Sequence, residues 1–382
     1  MNSLRNILES SPQLRDLAMQ GLRNEDSPQP LGPALWNWAD VQRVLLVRLR
    51  SIGDTVLATP CLYALKRFVP RAQVDMVLED WVAPLLSGFE HVDSIITLQR
   101  KSTTSRARVA RQVRANRYDV VYNLHGGTTA TLLTRASGAK HRVGYADYQY
   151  SRLHQHQAPS SASLWGRPKT HSVEQQLALL GWTGVPVTDR PATRLAITAD
   201  ASDAVSARLK SNDLNEDTDF VLIHPMAAFD TKQWATEKFA RIIEMLAAQG
   251  LKSVVITAES DAATVGQLKQ EASVSFTAFT NLSLPEVTAL AARARLFVGN
   301  DSGIAHIAAA VATPAVVIFG SSNVDHWRPW ATAPAELVRE ELDCQPCHGY
   351  YCEKFAQPEC IRRVPVNKVF SAVERVLRES AK

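Results

Sequence analysis

Four segments of this chain place a side chain that could move a proton or hold an anion directly after a short apolar run. The first contains Asp54, which closes the sequence Ser51-Ile52-Gly53-Asp54. Gly53 allows another molecule to approach the backbone closely, since it has no side chain. A carboxylate at this place is a candidate general base that takes a proton from a hydroxyl group. The alternative is that Asp54 only caps the following helix, as Asp often does.

The second segment, Asn300-Asp301-Ser302-Gly303, leads from an apolar run into an alanine-rich helix that contains His306. The first turn of such a helix offers free backbone N–H groups and the positive end of the helix dipole, which together hold a phosphate. His306 either contacts that phosphate or is a buried histidine of the core. The residues alone leave both interpretations open.

Two further charged residues follow apolar runs in the second half of the chain. Lys232 could neutralise a leaving diphosphate, or it could be a solvated loop lysine. Glu259 follows the next run, where an acid commonly accepts hydrogen bonds from ribose hydroxyls; the alternative is another helix cap. The transfer of a sugar from a nucleoside diphosphate to a hydroxyl requires such a set of groups. The first half supplies a base, and the second half supplies a cation, an anion site and a ribose acceptor.

The elements that must position these residues alternate between strands and helices. The predicted strands are apolar runs rich in valine and isoleucine, at 43–49, 73–79, 94–98, 119–124, 142–146, 220–225, 252–258, 295–300 and 315–320. Such runs, separated by helical segments, indicate an α/β fold with parallel sheets. Ligands of these sheets bind beyond the carboxyl ends of the strands, where the charged residues above lie.

The length of 382 residues indicates more than one domain, because domains usually have ~100–200 residues. We expect two Rossmann-like domains, 41–190 and 191–365, that face each other across a cleft. An N-terminal extension, 1–40, precedes them, and a C-terminal helix, 366–382, follows. The extension is either a solvated segment folded against the body or a helix that docks on a membrane or a partner.

Composition and missing motifs exclude several classes of protein. The chain is 46% hydrophobic and 21% charged, which excludes general disorder and fibrous repeats. Its net charge of +4 is small for a dedicated nucleic-acid binder, so we expect no nucleic-acid partner. It contains neither GxGxxG nor GxxxxGK[ST], which argues against a nicotinamide dehydrogenase and a P-loop NTPase. No apolar run approaches the ~20 residues of a membrane span, and we expect a cytoplasmic protein.

A basic segment, 100–117, holds seven Arg or Lys residues and no acid. On a helix, Val109 and Val113 would face inward and the arginines outward. The segment is either a solvated face or a surface that recognises an anionic acceptor, because Arg pairs with phosphate and carboxylate in two hydrogen bonds. The candidates for acceptor binding are Arg106, Arg111 and Arg114.

Four of the five cysteines cluster near the C-terminus, at Cys344, Cys347, Cys352 and Cys360. Four thiolates can hold a structural zinc ion, although this spacing does not match a common zinc knuckle. The cluster is either a metal or redox site with a structural role, or a group of unligated thiols. The fifth, Cys61, is expected in the core.

Three segments in this order, 44–68, 224–234 and 297–310, resemble the ADP-heptose:lipopolysaccharide heptosyltransferases of glycosyltransferase family 9. The cysteine segment is similar to one in members that resemble heptosyltransferase II. The resemblance implies a GT-B fold, an N-terminal half that binds the acceptor and a C-terminal half that binds the nucleotide sugar. It also implies an inverting transfer that requires no cofactor or metal.

The resemblance further implies roles for single residues. Asp54 corresponds to the catalytic base, Lys232 to the lysine on the donor phosphates, and Glu259 to the ribose acceptor. The phosphate-binding run corresponds to Asp301, Ser302, Gly303 and His306, and Leu282 to the residue whose backbone meets adenine. Ser51 and Gly53 join the three arginines as expected acceptor contacts.

We therefore expect a transferase that moves heptose from ADP-heptose to the inner core of lipopolysaccharide, with peripheral contact at the cytoplasmic face of the inner membrane. One alternative is a family 9 transferase that uses another nucleotide sugar or acceptor. The other is a non-catalytic module that binds a sugar nucleotide or a metal.

Overall fold

Two parallel six-stranded sheets form the body of the protein in a computed structural model that describes residues 27–347 and 350–380. The strands of the first sheet are β1 Arg43–Val47, β2 Gln73–Glu79, β3 Ser94–Leu98, β4 Val120–Asn123, β5 His141–Tyr145 and β6 His156–Ala158. Those of the second sheet are β7 Phe220–His224, β8 Lys252–Ile256, β9 Thr277–Phe279, β10 Leu296–Asn300, β11 Ala315–Phe319 and β12 Ala335–Arg339. The predicted α/β architecture of two facing halves is confirmed.

The two sheets share one strand order. The first runs β3-β2-β1-β4-β5-β6, and the second runs β9-β8-β7-β10-β11-β12 when read in the same sense. All neighbouring strands are parallel. In each sheet the order reverses between the first and fourth strands, and ligands of open parallel sheets bind in the crevice at that point. Asp54 follows β1, Lys232 follows β7 and Asp301 follows β10, so these predicted site residues lie at the two reversal points.

Helices cover both sheets. They are α1 Ile52–Val56, α2 Thr59–Phe68, α3 Thr103–Ala115, α4 Thr128–Ala136, α5 Ser161–Trp165, α6 Ser172–Trp182, α7 Ala199–Lys210, α8 Thr236–Ala248, α9 Ala262–Glu271, α10 Leu284–Arg293, α11 Gly303–Ala310, α12 Val324–Trp327, α13 Glu359–Arg362 and α14 Val366–Glu379. Inner strands such as β1, β7 and β10 are buried along almost their whole length, which explains their continuous apolar sequence. Among the described residues, no helix is long and apolar enough to cross a membrane.

The described part of the N-terminal extension packs on the first half. The backbone N–H groups of Leu31 and Gly32 donate to the carbonyl of Gly181 at the end of α6, and the indole of Trp38 donates to the carbonyl of Thr183. Residues 27–40 therefore lie against the body. The amphipathic helices expected in 1–26 lie outside the described residues.

The chain passes from the first half to the second between α6 and α7. Helix α6 packs on α2 and β5 of the first half, whereas α7 packs on α10 of the second half. The boundary at 190/191 falls in the connection between them and stays a prediction. Helix α14 packs on β10, β11, β12 and α8, so it belongs with the second half.

Two details differ from the sequence prediction. The strands β6, β9 and β12 were not predicted, because each is an outer strand that carries polar residues. Asp54 was expected in a turn before a helix, but it is the third residue of the short helix α1. Its side chain therefore points back toward the start of that helix, where Ser51 lies.

Candidate active site

The carboxylate of Asp54 is held by three donors at the end of β1. The guanidinium of Arg48 forms an ion pair with Oδ1. The backbone N–H and the hydroxyl of Ser51 donate to Oδ2 over 3.1 and 3.2 Å. The Asp54 side chain keeps 21% of its surface exposed, so an incoming ligand can still reach it. Ser51 thus orients the Asp54 carboxylate, and sequence reasoning missed Arg48, a charged residue directly after an apolar strand.

The surroundings keep Asp54 ionised. Burial alone would raise its pKa, but the Arg48 charge and the hydrogen bonds from Ser51 outweigh that effect, so the pKa lies below its ordinary value. The neighbouring His125 has its pKa lowered to about 4 by burial and by Arg48, so it is neutral near pH 7. The ion pair fixes and ionises the carboxylate, although it reduces its basicity.

In the second half, the partly exposed Lys232 forms an ion pair with the buried Asp301. The Lys232 ammonium donates to Oδ2 of Asp301 over 2.9 Å, and the hydroxyl of Ser322 donates to the same oxygen. Asp301 is 5% exposed and Lys232 is 21% exposed. A carboxylate repels phosphate, so the geometry makes Asp301 the group that positions Lys232. The ammonium itself is left accessible to an anion.

The start of α11 opens into a cavity of about 350 Å³, here called the apolar cavity. Two hydroxyls that line it, of Ser302 and Thr257, have no hydrogen-bond partner among the described residues. Buried hydroxyls without partners are uncommon and indicate a missing ligand or water. With the free N–H groups of the helix start, the site suits an anion next to an apolar group.

Only some of the residues that were predicted to bind the donor line this cavity. Leu282, Ser302 and Gly303 line it, as expected. Glu259 is exposed and is not among its lining residues, whereas Asp261 is. Sequence reasoning missed Asp261 because it lies on the same short 3-10 helix, Glu259–Asp261, and the direction of each carboxylate depends on that turn.

The two halves meet where α1 faces α11. A Cβ at Gly53 would lie 2.7 Å from Cδ2 of His306, and a Cβ at Gly303 would lie 2.8 Å from the Cβ of Ile52. Real Cβ atoms do not approach other atoms so closely, so glycine is required at both positions for this contact. It brings Asp54 of the first half next to the His306, Asp301 and Lys232 group of the second.

His306 is buried in this contact. Burial lowers its pKa, against the nearby charges of Asp301 and Asp54, which raise it. The imidazole is therefore neutral at pH 7, and its Nδ1 has no hydrogen-bond partner among the residues described. His306 thus packs on Gly53 while keeping one nitrogen for a ligand.

A second cavity, of about 410 Å³, opens at the carboxyl ends of the first sheet and is here called the basic cavity. Its lining includes four cations, Arg50, Arg100, Lys101 and Arg106, and one acid, Glu79. Arg106, a predicted acceptor contact, thus lines the basic cavity. Arg111 and Arg114 lie farther along α3, which rises ~1.5 Å per residue, and they do not line this cavity.

The buried face of α3 matches the sequence pattern. Val109 and Val113 are fully buried, as predicted, and Arg111 and Arg114 are exposed. The arginine face therefore lies on the surface beside the basic cavity.

The four clustered cysteines lie on the second half and carry free thiols. Burial raises the pKa of Cys360 to about 11, and the other three thiols contribute to that rise. In the described part of the chain, which omits 348–349, no group of three or more His, Cys, Asp or Glu residues is arranged to hold a metal ion. Cys61 is buried in the core as expected.

Comparisons with known proteins agree with this architecture. Residues 106–355, well over half of the chain, match the family model described as glycosyltransferase family 9 (heptosyltransferase). Lipopolysaccharide heptosyltransferase 3 of Escherichia coli (strain K12) is 28% identical over 352 residues, which cover 87% of this chain and 97% of that protein.

Two solved structures are similar in fold. A glycosyl transferase of family 9 from Veillonella parvula has a TM-score of 0.80 at 20% identity, over 88% of this chain and 98% of that one. The E. coli ADP-heptose lipopolysaccharide heptosyltransferase II has a TM-score of 0.74 at 19% identity, over 89% of this chain and 100% of the other. The GT-B fold implied by the sequence resemblance is confirmed.

Proposed function

The chain belongs to glycosyltransferase family 9, and on that basis we propose that it transfers a heptose from ADP-heptose to the core of lipopolysaccharide. The observation that carries the proposal is the contact of the two halves. It supports the proposal because Asp54 directly follows Gly53 at this contact, while the start of α11, on the other side of the contact, can hold a diphosphate. The names of similar proteins, which include ADP-heptose and lipopolysaccharide, support this choice of donor and acceptor.

The donor is assigned to the second half. The adenosine occupies the apolar cavity, with adenine near Leu282 and ribose hydroxyls bonded to Asp261, which lies two residues after Glu259. The diphosphate lies on the N–H groups at the start of α11 and on the Lys232 ammonium. The Ser302 hydroxyl, which has no partner among the described residues, donates to a phosphate oxygen in this arrangement.

The transfer is a single displacement. The acceptor hydroxyl oxygen attacks C1 of the heptose from the face opposite the diphosphate, and its proton passes to the Asp54 carboxylate. The bond between C1 and the diphosphate oxygen breaks, and its electron pair leaves with ADP. Lys232 and the helix start stabilise the negative charge that develops on ADP. The configuration at C1 is inverted.

The acceptor is assigned to the basic cavity. Arg50, Lys101 and Arg106 line it. His125 also lines it and lies close enough to Asp54 to affect the pKa of that carboxylate, so the cavity extends toward Asp54. Cations that converge in a cavity select anionic ligands, and arginine binds phosphate and carboxylate with paired hydrogen bonds. A lipopolysaccharide core that carries such groups fits this site.

We assign to the surface around the basic cavity a peripheral contact with the cytoplasmic face of the inner membrane. Residues 99–118 contain seven Arg or Lys, residues 124–146 contain three, and neither range contains an acid. Helices α3 and α4 pack together, so the arginines of α3 lie near Arg135 of α4. Basic surfaces gain ~1 kcal/mol per Lys or Arg near an anionic leaflet. Peripheral contact here would present the cavity to a lipid-linked acceptor.

The test is ADP release by the purified protein. It is supplied with ADP-heptose and with lipopolysaccharide cores that carry no heptose, one heptose or two heptoses. Release that depends on one of these cores supports the proposal and identifies which heptose is added. If the protein bound ADP-heptose but released no ADP with any core, the proposed acceptor would be contradicted. If it did not bind ADP-heptose, the proposed donor would be contradicted.

A further inference from the structure

The turn that follows β4 forms one wall of the basic cavity, because His125 and Gly127 line it together with Thr128 at the start of α4. His125 is also the lining residue that lies close enough to Asp54 to affect the pKa of that carboxylate. The position of this turn therefore affects where a ligand of the basic cavity lies relative to the proposed base.

Asn123, the last residue of β4, is fully buried and holds this turn. Its Oδ1 accepts the backbone N–H groups of His125 and Gly126 over 3.1 and 2.9 Å. Its Nδ2 donates to Oγ1 of Thr131 over 3.1 Å and to Nε2 of His154 over 3.2 Å. A side-chain amide has two N–H groups and two oxygen lone pairs, so Asn123 uses its full capacity for hydrogen bonds.

His154 is 3% exposed, and its surroundings fix which ring nitrogen carries the proton. Nδ1 lies 3.1 Å from the carbonyl oxygen of Ser151, which can only accept, so Nδ1 is the donor. Burial lowers the pKa of His154, as does the charge of Arg142, against the hydrogen bond with Ser151, which raises it. The ring is therefore neutral near pH 7, and Nε2 keeps the lone pair that accepts from Asn123.

This network ties the turn to two other parts of the first half. Thr131 belongs to α4, and its hydroxyl donates in turn to the carbonyl oxygen of Gln149 over 3.2 Å. His154 belongs to the segment between β5 and β6. A buried polar network with every member satisfied is rigid, and the loss of one member leaves a buried donor without a partner. The wall of the basic cavity cannot shift without such a loss.

We propose that Asn123 and His154 are positioning residues for the acceptor, and that they act through the turn 125–127. The inference rests on the proposed function, which assigns the acceptor to the basic cavity. Neither residue lines that cavity, so both act without contact with the acceptor. The apolar cavity, to which the adenosine is assigned, contains none of the residues of this network, so donor binding is independent of it.

The experiment measures the KM of the acceptor, supplied as a water-soluble core fragment, and the KM of ADP-heptose in the same assay. His154→Leu removes the ring nitrogens and leaves an N–H of Asn123 without an acceptor. It is expected to raise the acceptor KM about tenfold, the size of one lost buried hydrogen bond. The KM of ADP-heptose is expected to change less than about twofold.

His154→Gln is the conservative variant that restores the network. Its amide oxygen can accept from Asn123, and its amide N–H can donate to the carbonyl oxygen of Ser151. Its acceptor KM is expected to lie within about twofold of the wild-type value.

Thr131→Val removes the second acceptor of the Asn123 amide with little change of size, and it decides the question if His154→Leu does not fold. It is expected to raise the acceptor KM about fivefold. Thr134→Val is the matched control. Thr134 lies on the same helix and is as fully buried as Thr131, but its hydroxyl has no partner among the described residues. Its acceptor KM is expected to equal that of the wild type, and thermal melting verifies that each variant is folded.

An unchanged acceptor KM in the folded variants His154→Leu and Thr131→Val would overturn the inference while the proposed function stands. Equal rises in the KM of the acceptor and of ADP-heptose would do the same, as would a His154→Gln protein as impaired as His154→Leu. Wild-type protein that binds ADP-heptose but releases no ADP with any core would instead overturn the proposed function, and this inference with it.

Discussion

The ring of His306, on the second half, lies against the backbone of Gly53, on the first half, with no room for a methyl group between them. A Cβ on Gly53 would be 2.7 Å from Cδ2 of that ring. Because Asp54 follows Gly53 directly, this contact fixes how far the proposed base lies from the proposed donor site. The fit of a glycine to a histidine therefore sets the geometry on which the transfer depends.

Gly53→Ala is expected to hold the halves apart and to lower kcat/KM about a hundredfold, since a displacement of ~1 Å between reacting groups has effects of this size. Its Kd for ADP is expected to change much less than kcat/KM, because every residue that lines the apolar cavity except Ile52 belongs to the second half. Gly266→Ala is the matched control. A Cβ at Gly266 has no atom within 4 Å, so its steady-state kinetics should equal those of the wild type. Equal activity of the two variants would contradict the role of the contact.

Arg48→Gln is expected to move the acid limb of the pH profile of kcat/KM toward higher pH. Arg48 lowers the pKa of Asp54, so its removal raises that pKa. The base is active when ionised, and activity is lost as the pH falls through its pKa. The loss therefore begins at a higher pH in the variant than in the wild type. An unchanged acid limb would show that a different group controls it.

Lys232→Ala is expected to lower kcat by ~10²–10³, because one group that stabilises the charge of the leaving diphosphate is lost. Steady-state assays with ADP-heptose measure this effect. Lys169→Ala is a control, because Lys169 also pairs with an aspartate, Asp325, but lies on the surface with 77% of its side chain exposed. An equal loss of activity in Lys232→Ala and Lys169→Ala would contradict a specific role of Lys232, because it would show an effect of net charge alone.

The sequence predicted the sheets better than it predicted single contacts. Long buried strands such as β1 and β10 are continuous apolar runs, so their sequence identifies them. The carboxyl ends of parallel strands share one edge of a sheet, so Lys232 and Asp301 lie at that edge of the second sheet and Asp54 at the corresponding edge of the first.

Contacts that depend on the turn after a strand were beyond that reasoning. The ion pair of Arg48 with Asp54 needs the path of the chain between β1 and α1. Whether Glu259 or Asp261 faces the apolar cavity depends on one turn of 3-10 helix. The sequence likewise could not separate Arg106, at the basic cavity, from Arg111 on the open face of α3.

Arg106 and Arg111 are expected to have different functions. Arg106→Ser should raise the acceptor KM about tenfold with a water-soluble core fragment, through loss of a charge-assisted hydrogen bond. Arg111→Ser should leave that KM unchanged but weaken sedimentation with phosphatidylglycerol vesicles, an effect that salt also produces. Phosphatidylcholine vesicles are the uncharged control. Equal effects of the two variants in both assays would contradict a division between acceptor cavity and membrane surface.

Acceptor-dependent release of ADP from ADP-heptose by Asp54→Asn, compared with the wild type, tests the central claim most directly. The asparagine keeps the size of the side chain but cannot take the proton of the acceptor hydroxyl. The account predicts a fall in kcat of ~10²–10⁴ with unchanged binding of ADP-heptose, which is the usual contribution of a positioned general base. An Asp54→Asn protein that releases ADP at the wild-type rate would contradict it.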